Sequence, residues 1–243
     1  MQRVFIMAVA AATFGCTVNS GNESFVIQNN LAVQGDTCDF TATLTSPSLP
    51  RGQLFLDSPI PYVLTPLLVS RVTAAEGRES LRTIQVQGAR IDLEIGPIES
   101  IDAAGAVTID DTVDTLQFES LFATALTPNG GTAFGTFDIV PLSALELIRA
   151  RATAGARVHA QAVATMRAFG DFYGQEIQSE PFRYPVTVCS DCVARPINTC
   201  NRITPTTMVR PGNPCNPFQD GIVDCCMSET LGLVCPATPE TTP

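Results

Sequence analysis

The 243-residue chain is 45% apolar and 16% charged, against roughly a quarter charged in an average globular protein, which marks a foldable chain and not a disordered one. All 14 basic residues are arginine, tryptophan is absent, His159 is the one histidine, and the formal net charge is −10. This inventory excludes Schiff-base and P-loop lysines, an HExxH zinc site and any paired-histidine mechanism, and the charge argues against nucleic acid or an anionic lipid surface as a partner.

Residues 1–15, MQRVFIMAVAAATFG, place Arg3 before an apolar run from Val4 to Ala12 and end in small residues before Cys16. The run is too short to cross a bilayer core of about 30 Å as a helix, so it reads as an export signal to be removed. Thr13-Phe14-Gly15-Cys16 resembles the lipobox of bacterial lipoproteins, which implies a diacylated Cys16 as the new N-terminus. The match departs at Thr13 and at the bulky Phe14, where that family has leucine and a small residue. A secretory signal cut after Ala10-Ala11-Ala12 is the alternative. In the lipoproteins this resembles, aspartate after the acylated cysteine favours inner-membrane retention. Thr17 here implies the outer membrane. Residues 16–23 are polar and small, as a tether should be.

From Ser24 to Val188 the pattern favours strands. Cys38-Asp-Phe-Thr-Ala-Thr-Leu44 alternates without a break, which predicts a strand burying Cys38, Phe40, Ala42 and Leu44. Tyr62 to Val72 is a continuous apolar stretch in which Pro66 predicts an edge strand or a break. Thr83 to Ile95 alternates but slips phase at Gly88, from Ile84 and Val86 to Ala89, Ile91, Leu93 and Ile95, the signature of a bulge. Residues 98–141 read as an inserted hairpin. Ser143-Ala-Leu-Glu146 has capping-box spacing, with Leu145, Ile148 and Ala152 on one helical face and Gly155 as a stop. Val158, Ala160, Ala162, Ala164 and Met166 form one face of a long strand. After the glycine-bounded loop Gly170–Gly174, its partner runs through Phe182, Tyr184, Val186 and Val188. Many short strands, one helix and frequent turns predict a mainly β fold: an antiparallel β-sandwich over residues 24–188, immunoglobulin- or fibronectin-like at the level of pattern, with two small domains as the alternative.

Beyond Val188 the residues to 243 form a cysteine-rich tail. Cys189, Cys192, Cys200, Cys215, Cys225, Cys226 and Cys235 stand among Pro, Asn and Gly, too little apolar material to fold by burial alone. In the cytosol Cys189-Ser-Asp-Cys192 would suggest zinc. Export makes disulfides the expectation for all of these cysteines and leaves no metal or cofactor assigned. Nine cysteines are an odd number, so a lipidated Cys16 leaves eight, and seven in the tail require one to cross to Cys38. Adjacent Cys225 and Cys226 must find different partners. Residues 236–243 read as disordered. Phe182-Arg-Tyr-Pro-Val-Thr-Val-Cys-Ser-Asp-Cys192 and Asn213-Pro-Cys-Asn-Pro-Phe-Gln-Asp-Gly-Ile-Val-Asp-Cys-Cys226 resemble segments of exported lipoproteins of the myxobacterial type. That resemblance implies location and disulfides, and no activity.

Local chemistry is sparse, and no residue is assigned a catalytic role. His159 lies on the polar side of its strand, where a solvated imidazole is the plain reading. Gly130-Gly-Thr-Ala-Phe-Gly135 imitates a phosphate loop but lacks its lysine, so Asn129-Gly130 reads as a turn. Asp110, Asp111 and Asp114 could offer calcium oxygen ligands without the EF-hand spacing. Asp220 to Asp224 reads as a second acidic turn. The resulting expectation is a non-enzymatic, lipid-anchored structural or ligand-binding module of the envelope, its partners the membrane and an envelope or extracellular ligand. The alternative is a surface hydrolase using carboxylates, with or without calcium.

Overall fold

The computed structural model describes residues 24–77, 82–204, 206–230 and 232–237. The signal, Cys16, the tether and the terminal residues 238–243 lie outside them; Pro236 and Ala237, read from the sequence as disordered, lie inside, and Ala237 is buried beside Cys226 with its amide donating to the Asp224 carbonyl. The fold is mostly antiparallel β-sheet with one short helix and a disulfide-rich C-terminal region. The first strands are β1 (Phe25–Leu31), β2 (Ser48–Leu49), β3 (Gly52–Phe55), β4 (Tyr62–Leu64) and β5 (Pro66–Ser70). They are followed by β6 (Ile84–Ile101), β7 (Val107–Asp110), β8 (Asp114–Leu126), β9 (Thr132–Phe134) and β10 (Phe137–Val140). Helix α1 (Leu142–Arg151) then leads to β11 (Arg157–Phe172), β12 (Gln175–Gln178) and β13 (Phe182–Cys189), and the tail holds β14 (Ala194–Thr199), β15 (Val223–Ser228) and β16 (Gly232–Val234).

The largest sheet runs β3-β13-β11-β6, with β7 and β8 sharing the far side of β6 and β12 pairing the end of β11. A second sheet, β2-β1-β5-β9, and the β10-β4 pair face it across a common core. Phe25, Leu64, Leu68 and Phe137 from one side meet Ile91, Leu93, Ala162 and Val186 from the other, and Leu145 and Ile148 of α1 close the cluster. Each such large apolar side chain contributes about 1.5–3 kcal/mol by leaving water. The architecture is sandwich-like, with a parallel β13–β3 pair at one edge.

Alternation in β6 positions this core. Ile84 and Val86 are buried on one phase and Ala89, Ile91, Leu93 and Ile95 on the other, and the ladder to β8 skips a residue between Val86 and Gly88. The glycine sits where the bulge brings chains together: a Cβ there would lie 2.8 Å from the Ser120 carbonyl oxygen and 2.9 Å from the Phe169 ring. Gly88→Ala is expected to cost about 1–3 kcal/mol by overpacking, read as a lower urea midpoint with an unchanged slope. Pro66 marks a break, as Leu64 pairs with Phe137 in one ladder and Pro66 with Asn30 in another.

Four further expectations need correction. Cys38–Leu44 forms no strand: Leu44 is 62% exposed, and the Thr43 and Ser46 hydroxyls bond each other while Ser46 donates to the Thr41 carbonyl. Hydroxyl side chains here give the backbone local partners in place of a ladder. Residues 98–141 are no insertion, because they supply β7 and β8 to the main sheet, β9 to the second and β10 to β4. Ser143 is not the N-cap; Pro141 holds that position in extended conformation and Ser143 lies inside the first turn. Finally, β11 runs through Gly170 to Phe172, and the turn is the two-residue Tyr173-Gly174, both at positive φ (56° and 76°), the geometry of a type I′ hairpin.

The tail folds around sulfur. Cys200–Cys226 and Cys225–Cys235 join its strands, Cys189–Cys192 spans the junction with β13, and Cys38–Cys215 crosses to the body. Strand period sends adjacent Cys225 and Cys226 to opposite faces of β15. Each then seeds a small cluster: Cys225 with Phe55, Val193, Ala194 and Val223, and Cys226 with Cys200, Ile203 and Ala237.

Candidate functional site

The chemistry-bearing groups gather where the tail meets the body. Residues 216–220 lie along β3: the Phe55 amide donates to the Phe218 carbonyl (2.9 Å) and the Asp220 amide to the Gln53 carbonyl (3.0 Å). Gln219 substitutes for a strand on β4, accepting from the Val63 amide at 2.9 Å and donating to its carbonyl at 3.0 Å. Asn216 donates to the Pro61 carbonyl and to Gln219. Asp220, at φ 54°, accepts from the Gln53 amide (2.8 Å) and the Tyr62 hydroxyl (2.6 Å). Behind it the Tyr62 and Tyr184 hydroxyls are 3.2 Å apart, and Asn30 donates to Tyr184. Burial pushes the Asp220 carboxyl up to about 6 against the opposing pull of its donors, and pushes the Tyr184 phenol up to about 12. Burial, with Asp220 nearby, raises Tyr62 well above the ordinary phenol range.

Beside this latch is a cleft of about 440 Å³ lined by Phe55, Asp57, Pro59, Phe218, Leu233 and Val234. Stacked Phe55 and Phe218 (centroids 6.1 Å apart) form part of its wall, and Leu233 stays 39% exposed at the surface. Among the described residues Asp57 is the one charged group lining it, held by Arg149 of α1 at 3.1 Å. An apolar concavity with a single oriented carboxylate suits binding an apolar group. It offers no nucleophile and base pair.

Of the acidic groups singled out in the sequence, Asp110, Asp114 and Asp224 are engaged by arginine. Arg151 donates to Asp110 (2.8 Å), to Asp114 (2.6 Å) and to the Thr112 carbonyl (2.7 Å), so a guanidinium sits between the carboxylates proposed for calcium. Arg151, with Thr112, holds the Asp110 carboxyl far below its usual range. Asp111 is exposed. Asp224 is nearly buried and receives Arg195 (2.8 Å) and the amide and guanidinium of Arg210 (3.0 and 3.1 Å). Burial raises its carboxyl, but those donors outweigh it and the net direction is down. Asn129 and Gly130 both have positive φ, as their turn requires. His159 is half-exposed, with Nε2 2.7 Å from Asp191 Oδ1. Among the described residues no group of three or more metal-ligating side chains occurs and no helix is long and apolar enough to cross a membrane.

Sequence reasoning missed the latch. Asn216, Gln219 and Asp220 read as turn residues, and their partners lie about 160 residues earlier in the chain. Compared with known proteins, the chain matches no family model and no curated protein.

Proposed function

We propose that the chain is a non-enzymatic, lipid-anchored module of the cell envelope that holds a ligand or a second envelope component at the junction of its body and tail. The observation that carries this reading is the pairing of sulfur. Cys38, Cys189, Cys192, Cys200, Cys215, Cys225, Cys226 and Cys235 form four disulfides, a state that belongs to an oxidising compartment. Of the nine cysteines this leaves Cys16, the residue that the lipobox-like signal offers for acylation. A single acyl chain anchors weakly, so stable attachment follows from the several chains a lipoprotein cysteine carries. The apolar cleft beside the latch supports a binding role, and the engagement of Asp110, Asp114 and Asp224 by arginine leaves the hydrolase alternative without a favouring observation. On the same reading the facing sheets close as an immunoglobulin- or fibronectin-like sandwich, supported by their shared core.

The test is intact mass of native material before and after reduction. The expected result is a chain beginning at Cys16 with acyl mass, gaining eight hydrogens on reduction, in line with four disulfides. An unacylated chain beginning after the Ala10–Ala12 run would remove the anchor from the proposal, and free thiols would remove the compartment.

A further inference from the structure

Cys189–Cys192 differs from the other three disulfides in its span, its access and its neighbours. It closes a separation of 3 residues, where the others close 177, 26 and 10. Loop entropy grows with the logarithm of length, so this bond constrains the unfolded chain least. Its two residues are unequally buried. Both sulfurs lie near the Leu54 carbonyl, at 3.9 and 4.0 Å, but Cys189 is fully buried whereas Cys192 is half-buried at the margin of the Phe55 cluster. The chain's one imidazole stands beside it. His159 on β11 is the direct cross-strand partner of Cys189, on the face opposite buried Val158 and Ala160. Directly opposed residues of an antiparallel pair share a face, with Cβ atoms about 5 Å apart. His159 Nε2 is 2.7 Å from Oδ1 of Asp191, which lies inside the Cys189–Cys192 loop, and the Arg157 guanidinium is 3.6 Å from the other oxygen.

We propose that Cys189–Cys192 is a redox-active disulfide that takes two electrons from a protein dithiol. A thiolate of the dithiol attacks Sγ of Cys192, the less buried of the two residues. The bond to Cys189 breaks as a mixed disulfide forms on Cys192, and Cys189 leaves as a thiolate that takes up a proton. The second thiolate of the dithiol then attacks its own partner sulfur in the mixed disulfide, and Cys192 departs and is protonated in turn. The dithiol has lost two electrons and two protons and become a disulfide, and Cys189 and Cys192 have become thiols. Exchange of this kind is governed by the attacking thiolate, by access and by how well the leaving thiolate is stabilised. His159, oriented by Asp191 and opposite Cys189 in the ladder, is the group placed to pass that proton to Cys189, since its ring nitrogens can donate or accept a proton. Opening the bond leaves the scaffold held. Cys189 stays in the β13–β3 ladder, its carbonyl accepting from the Leu56 amide at 2.9 Å, and the other three disulfides keep the tail fastened.

The experiment equilibrates the full chain in dithiothreitol redox buffers of stepped ratio, traps thiols by alkylation and reads peptides by mass. The expected result is a range of ratios in which both alkyl groups sit on Cys189 and Cys192 alone, with far-ultraviolet circular dichroism unchanged. A synthetic dithiol peptide should be oxidised by one equivalent per chain, and the Cys189→Ser/Cys192→Ser variant should lose that reaction. His159→Gln should slow the transfer about tenfold at pH 7 while leaving the equilibrium ratio for opening unchanged. Opening of this bond only together with or after another disulfide, or peptide oxidation as fast in the double-serine variant, would overturn the proposal. An unaltered rate in His159→Gln would overturn the role given to the imidazole.

Discussion

Replacing Cys38 and Cys215 together by alanine is expected to lower the unfolding free energy by about 5 kcal/mol, measured by urea denaturation under non-reducing conditions. The bond closes a separation of 177 residues, and the loop-entropy relation gives about that value for so long a closure, before any native strain is subtracted. The size of the effect follows from where Cys38 sits. It lies in an exposed loop that buries almost nothing, so the crosslink there acts chiefly on the unfolded chain. The urea slope should rise in the variant, because an unfolded chain without the crosslink exposes more surface. A loss below about 1 kcal/mol would show that the crosslink strains the native state or that the unfolded chain keeps these segments close without it, and would overturn the loop-entropy account. Single Cys→Ala variants are the weaker test, since each leaves a thiol free to exchange.

Local periodicity and cysteine parity made much of this fold legible in the sequence. The phase slip at Gly88 needed no distant information, because alternation over thirteen residues names its own break. The β11–β13 pairing followed in the same way from two long half-buried strands. An odd number of tail cysteines pointed to a crossing at Cys38, but the choice of Cys215 among seven was set by where residues 213–221 lie against β3, which no local pattern encodes. Cys38–Leu44 misled because alternation states which face could be buried and not whether anything lies opposite. No strand pairs with it, and Thr and Ser hydroxyls bond the loop to itself. Ser143 misled because Pro141 already started the helix. The acidic turns were visible as charge, yet their function depended on Arg151, Arg195, Arg210 and Tyr62, each brought in by tertiary contact.

Asp220 makes the latch sensitive to pH, and the sign follows from its raised carboxyl. Burial lifts it from 3.8 to about 6 in the folded protein, so between those values the native state binds more protons than the unfolded chain. Stability contributed by this group is therefore fully present below about pH 4, falls as pH rises through that window, and levels off above it. At about 1.4 kcal/mol per pH unit of displacement the full fall would approach 3 kcal/mol, and because Asp220 is only partly buried, solvent screening reduces this to about 2 kcal/mol. Asp220→Asn is the decisive variant. Asparagine tolerates the positive φ of 54°, and its Oδ1 can still accept from the Gln53 amide. Its Nδ2 can donate to the Tyr62 hydroxyl, which then donates onward to Tyr184, a reversal that the 3.2 Å separation of the two phenols permits. The variant should match the wild type near pH 4, exceed it by about 2 kcal/mol at pH 7, and show a flat profile between. Asp220→Ala should instead lose stability at every pH, because it strands the Gln53 amide and the Tyr62 hydroxyl and disfavours the left-handed backbone. Denaturation midpoints for the three chains across pH 4–7 separate these outcomes. A wild-type profile that rises through this window would mean that the carboxylate, and not the neutral acid, is the form the latch holds.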